Sequence, residues 1–288
     1  MTDQSSTRLP ETVYTPDSSV AKPREMLRDM FRDLARSGDL AWRLAVRDIQ
    51  AQYRQNVLGI LWAFITPLFT TLTWIFLQGS GIVAVGATDI PYPVYVFTGT
   101  MLWAIFTDAM NAPMNQTQSA SGLLAKFNFP REALIVSGIY KILFNAGIKI
   151  LLMLGALVII GIYPGWHLLI FPLGIVSLIL VGTALGLLVT PIGMLYKDVG
   201  RVIPLGLQFL MYLTPVVFAM PKDGWVATLF QINPLTPLIL NARNWLTGFP
   251  PEQMTYFVIV NLLAVLMLLI AWGAYRLVMP ILIERTGA

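Results

Sequence analysis

The sequence predicts an all-α integral membrane protein with six transmembrane helices, an N-terminal amphipathic interfacial helix, and short outer-face helices between spans five and six. Of its 288 residues, 56% are hydrophobic and 12% are charged, whereas a soluble domain has roughly 25% charged residues. No Asp, Glu, Lys or Arg lies between Arg54 and Asp89, or between Lys149 and Lys197. Since a helix needs about 20 apolar residues to cross a bilayer, these two intervals hold more than two spans.

The first 55 residues are polar and precede the first apolar run. Residues 1–23 lack periodicity and are predicted to be a disordered cytoplasmic tail without a cleaved signal peptide. Residues 24–55 alternate apolar and basic faces in two helices, with a break at Ser37-Gly38 and Asp39 as the cap of the second. Such basic helices lie on a membrane surface, although a soluble helix docked on a partner has the same pattern.

Six apolar runs within residues 56–280 predict the transmembrane domain. The predicted spans are approximately residues 57–77, 92–109, 137–160, 168–195, 202–220 and 254–275. The segment 221–253 is too apolar for a solvated linker and too rich in proline for a pair of spans. We therefore predict short re-entrant or interfacial helices in that segment.

The basic residues are distributed unevenly between the two sides of this arrangement. Fifteen of the 19 Lys and Arg residues fall in the N-terminal segment, the 113–132 loop, the loop containing Lys197 and Arg201, and the C-terminal tail. The positive-inside rule therefore predicts that both termini are cytoplasmic, as an even number of crossings requires. The N-terminal basic residues are interleaved with acids, which indicates membrane lipids rather than a nucleic acid as the partner.

The sequence contains no run from which nucleotide chemistry is expected. A phosphate-binding loop would end in Gly-Lys-Ser or Gly-Lys-Thr, and neither occurs. The chain has no cysteine and a single histidine, His167, so we predict neither a catalytic residue nor a metal site. Any ATP-driven work is expected to come from another chain.

An unusual polar stripe interrupts the third predicted span. Ser137, Lys141, Asn145 and Lys149 follow each other at four-residue steps and so share one helix face. Asp108, in the second span, is the one acid placed to pair with Lys141 or Lys149 at membrane depth, where a charge costs roughly 2.5–3.5 kcal/mol. The stripe either orients two helices through a buried pair or lines a path for an anionic cargo.

Aromatic and hydroxyl side chains form a second pattern on two of the spans. It comprises Trp62, Thr66, Phe69, Thr70, Thr73 and Phe76 on the first span and Gln208, Tyr212 and Pro215 on the fifth. Aromatic faces stack against the apolar C–H surface of sugar rings, while hydroxyl and amide groups bond their polar edges. The pattern therefore fits a glycan path, although an ordinary helix seam or a lipid-facing surface looks the same.

Four further stretches occur in a fixed order along the chain. They are residues 47–62 (RDIQAQYRQNVLGILW), residues 91–103 with Pro91-Tyr92-Pro93, Gly99 and Trp103, residues 123–132 (LLAKFNFPRE), and Leu213-Thr214-Pro215-Val216 followed by Asn233-Pro234-Leu235. Together they resemble the membrane subunit of type-2 ABC exporters for polysaccharides, the group that serves O-antigen, capsule and teichoic-acid export. The resemblance covers about residues 40–280.

The resemblance implies a transport permease, not an enzyme, that works as a homodimer in the bacterial cytoplasmic (inner) membrane. Each copy is expected to bind a separate ABC ATPase subunit, which holds the ATP and Mg²⁺, so that this chain carries no cofactor. In the family the loop between spans two and three seats in the ATPase. Here that loop corresponds to Lys126, Phe127, Asn128, Phe129, Pro130, Arg131 and Glu132.

The family is expected to pass a lipid-linked glycan, such as the O-antigen of lipopolysaccharide, between two protomers along spans one and five. The candidate lining residues are then Trp62, Thr66, Phe69, Thr73, Gln208 and Tyr212. Two alternatives stay open. One is a type-2 ABC permease for a drug, an ion or a small lipid, and the other is an ion-coupled secondary transporter, which the Lys149 and Asp108 charges motivate.

Overall fold

The fold is taken from a computed structural model, which describes residues 23–54, 61–83, 85–124, 129–196, 198–221 and 223–286. Regular structure within these ranges is helical throughout. The helices are α1 (Pro23–Arg36), α2 (Gly38–Arg54), α3 (Leu61–Gly79), α4 (Tyr92–Ser119), α5 (Ser121–Leu124), α6 (Glu132–Ile160), α7 (Phe171–Leu195), α8 (Val199–Tyr212), α9 (Trp225–Ile232), α10 (Leu235–Thr247) and α11 (Met254–Thr286). Residues 1–22 of the predicted tail lie outside the described residues.

In the described part of the chain, three helical stretches are both long and apolar enough to cross a bilayer. They are Glu132–Ile160, Gly165–Leu195 and Met254–Met279, and α8 is a shorter apolar helix. Helix α3 has 19 residues and none of them is charged. The chain is therefore an all-helical integral membrane protein, as its composition predicts.

Helix α7 lies at the centre of the bundle, packed against α4 on one side and α11 on the other. Its sequence contains Gly182 and Gly186, four residues apart, and both face α4. A Cβ atom at Gly182 would lie 2.7 Å from the Cβ of Ala109 and 2.8 Å from the carbonyl oxygen of Phe106. These small residues therefore let the backbones of α4 and α7 approach closely, which is how apolar helices gain contact in a membrane.

The two amphipathic helices both contact α6, but only α1 also packs on α11. Helix α1 lies against α11, with Met30 fully buried and the Phe31 ring 5.5 Å from that of Trp272, whereas α2 packs on α6. The predicted break at Ser37-Gly38 is confirmed, since α1 ends at Arg36 and α2 begins at Gly38. The prediction that Asp39 caps α2 is wrong. Asp39 lies inside the helix, where it accepts a hydrogen bond from Arg43.

Three predicted span boundaries are corrected by the structure. The second predicted span, 92–109, continues as α4 to Ser119, through a polar stretch in which Asn111 and Thr117 bond backbone carbonyls of their own helix. The fifth, 202–220, is helical only to Tyr212, after which the chain turns irregularly. The sixth, 254–275, continues as α11 to Thr286. Apolar runs therefore mark membrane helices without fixing where the helices end.

The apolar segment 221–253 contains the two short helices α9 and α10, as predicted. Nearly every residue of α10 is buried, including Trp245, whereas Trp225 at the start of α9 is exposed. Pro234 lies at the N-cap of α10, and Gly248 ends it in a left-handed conformation with φ +91°. The segment is thus folded onto the bundle and cannot serve as a solvated linker.

Candidate functional site

A groove of about 480 Å³ runs between α3, α4 and α8. Each helix contributes polar and aromatic side chains to it. Among them are Thr66, Thr70 and Trp74 of α3, Asn111 of α4, and Gln208 and Tyr212 of α8. Hydroxyl, amide and aromatic groups therefore meet in one concave surface within an otherwise apolar bundle, an arrangement typical of ligand sites.

The structure divides the candidate lining residues that the sequence predicts. Thr66, Gln208 and Tyr212 line the groove. Trp62 and Phe69 instead lie on the outer surface of α3, 51% and 65% exposed, and Thr73 is also exposed there. The aromatic and hydroxyl residues of α3 therefore lie on two different faces of that helix. The face with Thr66, Thr70 and Trp74 forms one wall of the groove.

Trp74 and Asn111 line the groove although sequence reasoning missed both. Trp74 continues the four-residue spacing of Thr66 and Thr70, so that periodicity was a usable signal. Asn111 shares a helix face with Asp108 and Asn115 in the sequence, but that polar face did not point to the groove. The Asn111 amide nitrogen donates to the Thr107 carbonyl at 2.8 Å, and only the packing of α4 against α3 and α8 brings it to the groove.

A second, wider cavity of about 790 Å³ adjoins the groove at Tyr212, which lines both. Its walls include the aromatic side chains Tyr95 and Phe218 and the carboxylates Asp89 and Glu252. Where the two spaces meet, the Trp74 ring lies 6.1 Å from that of Tyr212 and 5.2 Å from that of Phe218, both edge to face. Three aromatic rings therefore stand at the junction.

The irregular segment 213–218 shapes this junction and is held by side chains from elsewhere. Its backbone carbonyls accept hydrogen bonds at 2.9–3.2 Å from the Asn233 amide, the Tyr95 hydroxyl, the Arg243 guanidinium and the Tyr92 hydroxyl. Non-helical backbone is tolerated among membrane helices only where such partners or a water-filled cavity satisfy it. The segment is therefore a fixed frame that holds Phe218 in place.

Arg243 of α10 is one of the side chains that hold this frame. The sequence placed it in an external segment, yet its side chain is 2% exposed, with the guanidinium 3.7 Å from the centre of the Tyr95 ring. It reaches the Val216 carbonyl because residue 99 is glycine. Any Cβ atom at Gly99 would collide with both that carbonyl and the guanidinium.

The polar stripe of α6 pairs with two neighbouring helices. The Lys149 ammonium lies 2.5 Å from the Asp108 carboxylate of α4, as predicted, and Lys149 is 7% exposed. Tyr53 of α2 donates a hydrogen bond of 3.1 Å to Asn145. Burial, and then the negative charge of Asp108, raises the pKa of the Tyr53 hydroxyl. Lys141 is half-buried. The stripe therefore joins α2, α4 and α6.

The segment 120–131 joins α4 to α6 and contains the predicted coupling loop. Lys126, Phe127 and Asn128 lie outside the described residues, whereas Phe129, Pro130 and Arg131 are half-buried. Burial lowers the pKa of the Arg131 guanidinium. Phe129 packs with Leu44 of α2, which brings this segment against the amphipathic helices.

Two adjacent residues of α11 hold both ends of that segment. The Tyr275 and Thr117 hydroxyls lie 3.0 Å apart, near the end of α4. Arg276 donates to Glu132, the first residue of α6, at 2.6 Å and to Asp33 of α1 at 2.7 Å. We call these five residues the α11 clasp. Glu132 is 3% exposed, so it serves this clasp and is not available at the surface.

Within the ranges that the structure describes, no three His, Asp or Glu side chains come together as metal ligands would. The chemistry of the groove is consequently that of aromatic stacking and hydrogen bonding by hydroxyl and amide groups. The carboxylates Asp89 and Glu252 add negative charge at the wider cavity.

Comparisons with known proteins agree with this architecture. The family described as ABC-2 type transporter matches residues 39–244. The O-antigen export system permease protein RfbA of Myxococcus xanthus is 25% identical over 214 residues, which cover 73% of this chain and 81% of the relative. The protein of the same name from Klebsiella pneumoniae is 23% identical over 215 residues, covering 72% and 79%.

A third relative has a different name. The polysialic acid transport protein KpsM of Escherichia coli is 25% identical over 222 residues, which cover 73% of this chain and 84% of the relative. All three alignments extend over most of both proteins. Because the family match also spans more than half of its length, the chain belongs to the ABC-2 type transporter family.

Proposed function

We propose that this chain is the permease of an ABC exporter that moves a polysaccharide, linked to a lipid as in O-antigen precursors, across the cytoplasmic membrane. The observation that carries the proposal is the groove between α3, α4 and α8. Trp74 and Tyr212 offer faces for the C–H surfaces of sugar rings, and Thr66, Asn111 and Gln208 offer bonds to their hydroxyls. The names of the three relatives support the same class of cargo.

The proposal includes six crossings, by α3, α4, α6, α7, α8 and α11. Helix α8 has 14 residues, about 21 Å of helix, and the fixed frame 213–218 would supply the remaining depth. Residues 1–23 would form a cytoplasmic tail, residues 24–55 interfacial helices, and residues 56–280 the transmembrane domain. The basic loops support this orientation, with both termini in the cytoplasm of a bacterial cell.

A second copy of the chain would complete the path. Large apolar side chains of α3 and α8, among them Trp62, Phe69 and Phe209, are more than half exposed next to the groove. Such a surface is covered either by lipid or by another protein. In a homodimer these aromatic residues would face the space between the protomers, and Trp62, Phe69 and Thr73 would then join Thr66, Gln208 and Tyr212 as lining residues.

A separate ATPase, in two copies with its own ATP and Mg²⁺, would drive transport by contacting residues 121–131, that is, the predicted loop without the buried Glu132. Both ends of that segment are fixed to α11, and Phe129 packs against the small apolar cluster that includes Leu44 of α2. A push on the segment would therefore move α1, α4, α6 and α11 together, because the α11 clasp joins these four helices. Lys149 and Asp108 would keep α4 and α6 in register during that movement.

Reconstitution tests the proposal directly. Vesicles containing the chain and its ATPase are supplied with ATP and a fluorescent lipid-linked oligosaccharide, and translocation is followed by protection from an added glycosidase. We expect protection that requires ATP, the chain and the ATPase. Transport of drugs, ions or small lipids without glycan transport would favour the small-molecule permease. Glycan or ion transport driven by an ion gradient alone would favour a secondary transporter.

A further inference from the structure

A third cavity lies on the other side of the bundle and shares no residue with the groove. This crevice, of about 320 Å³, is formed by α1, α6, α7 and α11, and its accessible walls present only apolar atoms. Ile135, Ile139 and Leu143 line it from α6, Ile179 and Leu180 from α7, and Leu268 from α11. Thr183 and Trp272 also line it, but the hydroxyl of the one and the indole N–H of the other are buried behind this apolar surface.

The shape of the crevice follows the direction of the helices. Its α6 residues recur every four positions, so the cavity extends along that helix for about 12 Å, at 1.5 Å per residue. Half of the bilayer's hydrocarbon core is about 15 Å thick. The crevice is therefore nearly as long as one leaflet is deep and runs along helices that would themselves span the bilayer.

The helices that form the crevice indicate that it lies within the membrane. Three of its four helices are those that are long and apolar enough to cross a bilayer. The fourth, α1, is amphipathic, and its Leu34 lines the crevice together with Trp272 of α11. On its exposed side α1 carries Arg24, Arg28, Arg32 and Arg36, of which Arg32 pairs with Asp29, and basic side chains of an interfacial helix attract anionic phospholipid headgroups.

From these features we propose that the crevice binds one acyl chain of an anionic phospholipid, in the leaflet on which α1 lies. The chain fills a void whose lining otherwise lacks van der Waals partners on one side. The phosphate lies next to the arginines of α1, so the lipid attaches α1 to the bundle in addition to the contacts of Met30 and Phe31. This proposal does not depend on the identity of the exported cargo.

Photolabelling of the intact chain tests the site. The purified full-length protein, in nanodiscs of phosphatidylglycerol and phosphatidylethanolamine, is irradiated with phosphatidylglycerol carrying a diazirine in its acyl chain, and adducts are mapped by mass spectrometry. We expect at least fivefold more adducts on Ile139 and Leu180 than on Leu151, which is 70% exposed on the same helix α6. Equal labelling of the crevice and of Leu151 would overturn the proposal.

A filled crevice supplies the second measurement. Ile139→Trp places an indole in the middle of the cavity, and Leu151→Trp is the matched control on the exposed face of α6. We expect Ile139→Trp to reduce labelling of Leu180 at least fivefold and the control to leave it unchanged. Unchanged labelling in Ile139→Trp refutes the site. So does displacement of the label from the unmodified protein by lipid-linked oligosaccharide but not by phosphatidylglycerol, since the occupant is then the cargo's lipid. The unmodified protein keeps the test decisive if Ile139→Trp does not fold.

Discussion

Helix α7 and helix α3 are both free of charged residues, yet they are packed in opposite ways. Most side chains of α7 are buried, and its glycines bring it against the backbone of α4. In α3 the large aromatic residues Trp62, Phe69 and Phe76 are more than half exposed, while its opposite face lines the groove. Apolar composition therefore marks both a close-packed scaffold and a wall that is open for contact. The following substitutions test that division.

The largest effect is expected where the scaffold is tightest. In Gly182→Leu the new side chain would collide with Ala109 and the Phe106 carbonyl, forcing α4 and α7 apart. Overpacking of this kind costs about 3 kcal/mol. We expect a large fall in the thermal unfolding midpoint in detergent, or loss of monodisperse protein. Gly155→Leu is the control, since nothing lies within 4 Å of its Cβ position. An equal loss in both variants would contradict the scaffold role of α7.

A smaller but still large effect is expected at the α11 clasp. Arg276→Gln leaves the carboxylates of Asp33 and Glu132 without their guanidinium partner. Because these side chains are partly exposed to solvent, we expect the loss to cost about 3 kcal/mol at most. We expect a lower unfolding midpoint and faster proteolysis near residues 121–131. Arg201→Gln is the control, because its pair with Asp198 is exposed and worth less than about 1 kcal/mol. Matching losses would show that the clasp is not specific.

The Lys149–Asp108 pair is expected to have an intermediate effect. Lys149→Met leaves the Asp108 carboxylate unpaired where α4 packs against α6. We expect this change to destabilise the folded protein by about 2 kcal/mol. Adding Asp108→Leu removes the orphaned charge, so the double variant should recover much of the unfolding midpoint. If the double variant regains stability but not export, the pair also has a role in the path. If it regains both, the pair only orients α4 and α6.

The smallest effect on stability is expected at the groove wall. Gln208 is exposed, so Gln208→Ala should change stability by less than about 0.5 kcal/mol. Export should nevertheless fall several-fold, because an amide that bonds sugar hydroxyls is lost from the groove. Leu262→Ala, at an exposed position of α11, is the control for both measurements. Full export by Gln208→Ala would separate the groove from the transport path.

Much of the helical framework could be predicted from sequence, because it depends on local composition. The break after Arg36, the two short helices before α11 and the pairing of Lys149 with Asp108 each follow from a nearby signal. The pairing was predictable because few charges lie at that depth. The end of α4 was not, since the helix continues past the apolar run into a polar stretch, and the prediction followed the apolar run alone.

Long-range pairs account for most of what the sequence could not predict. Arg243 lies in the predicted outer-face segment 221–253, yet it stacks on Tyr95 and bonds Val216. Glu132 was assigned to the coupling loop, yet it is buried against Arg276, 144 residues away. Neither pairing could be predicted from a repeating spacing in the sequence, because its partners lie on different elements of the fold. Thr66 of α3 and Gln208 and Tyr212 of α8 lie in the groove, and the two α8 residues could be grouped from sequence because they share one face of that helix.

The α11 clasp also has a consequence for the order of biosynthesis. Asp33 and Glu132 emerge from the ribosome long before Tyr275 and Arg276, so α1 and the 120–131 segment lack these contacts until almost the whole chain has been made. A nascent chain would therefore gain this rigid face only after α11 is made. Ribosome-bound chains arrested before residue 275 should be cleaved by protease within residues 121–131, and chains arrested after α11 emerges should resist.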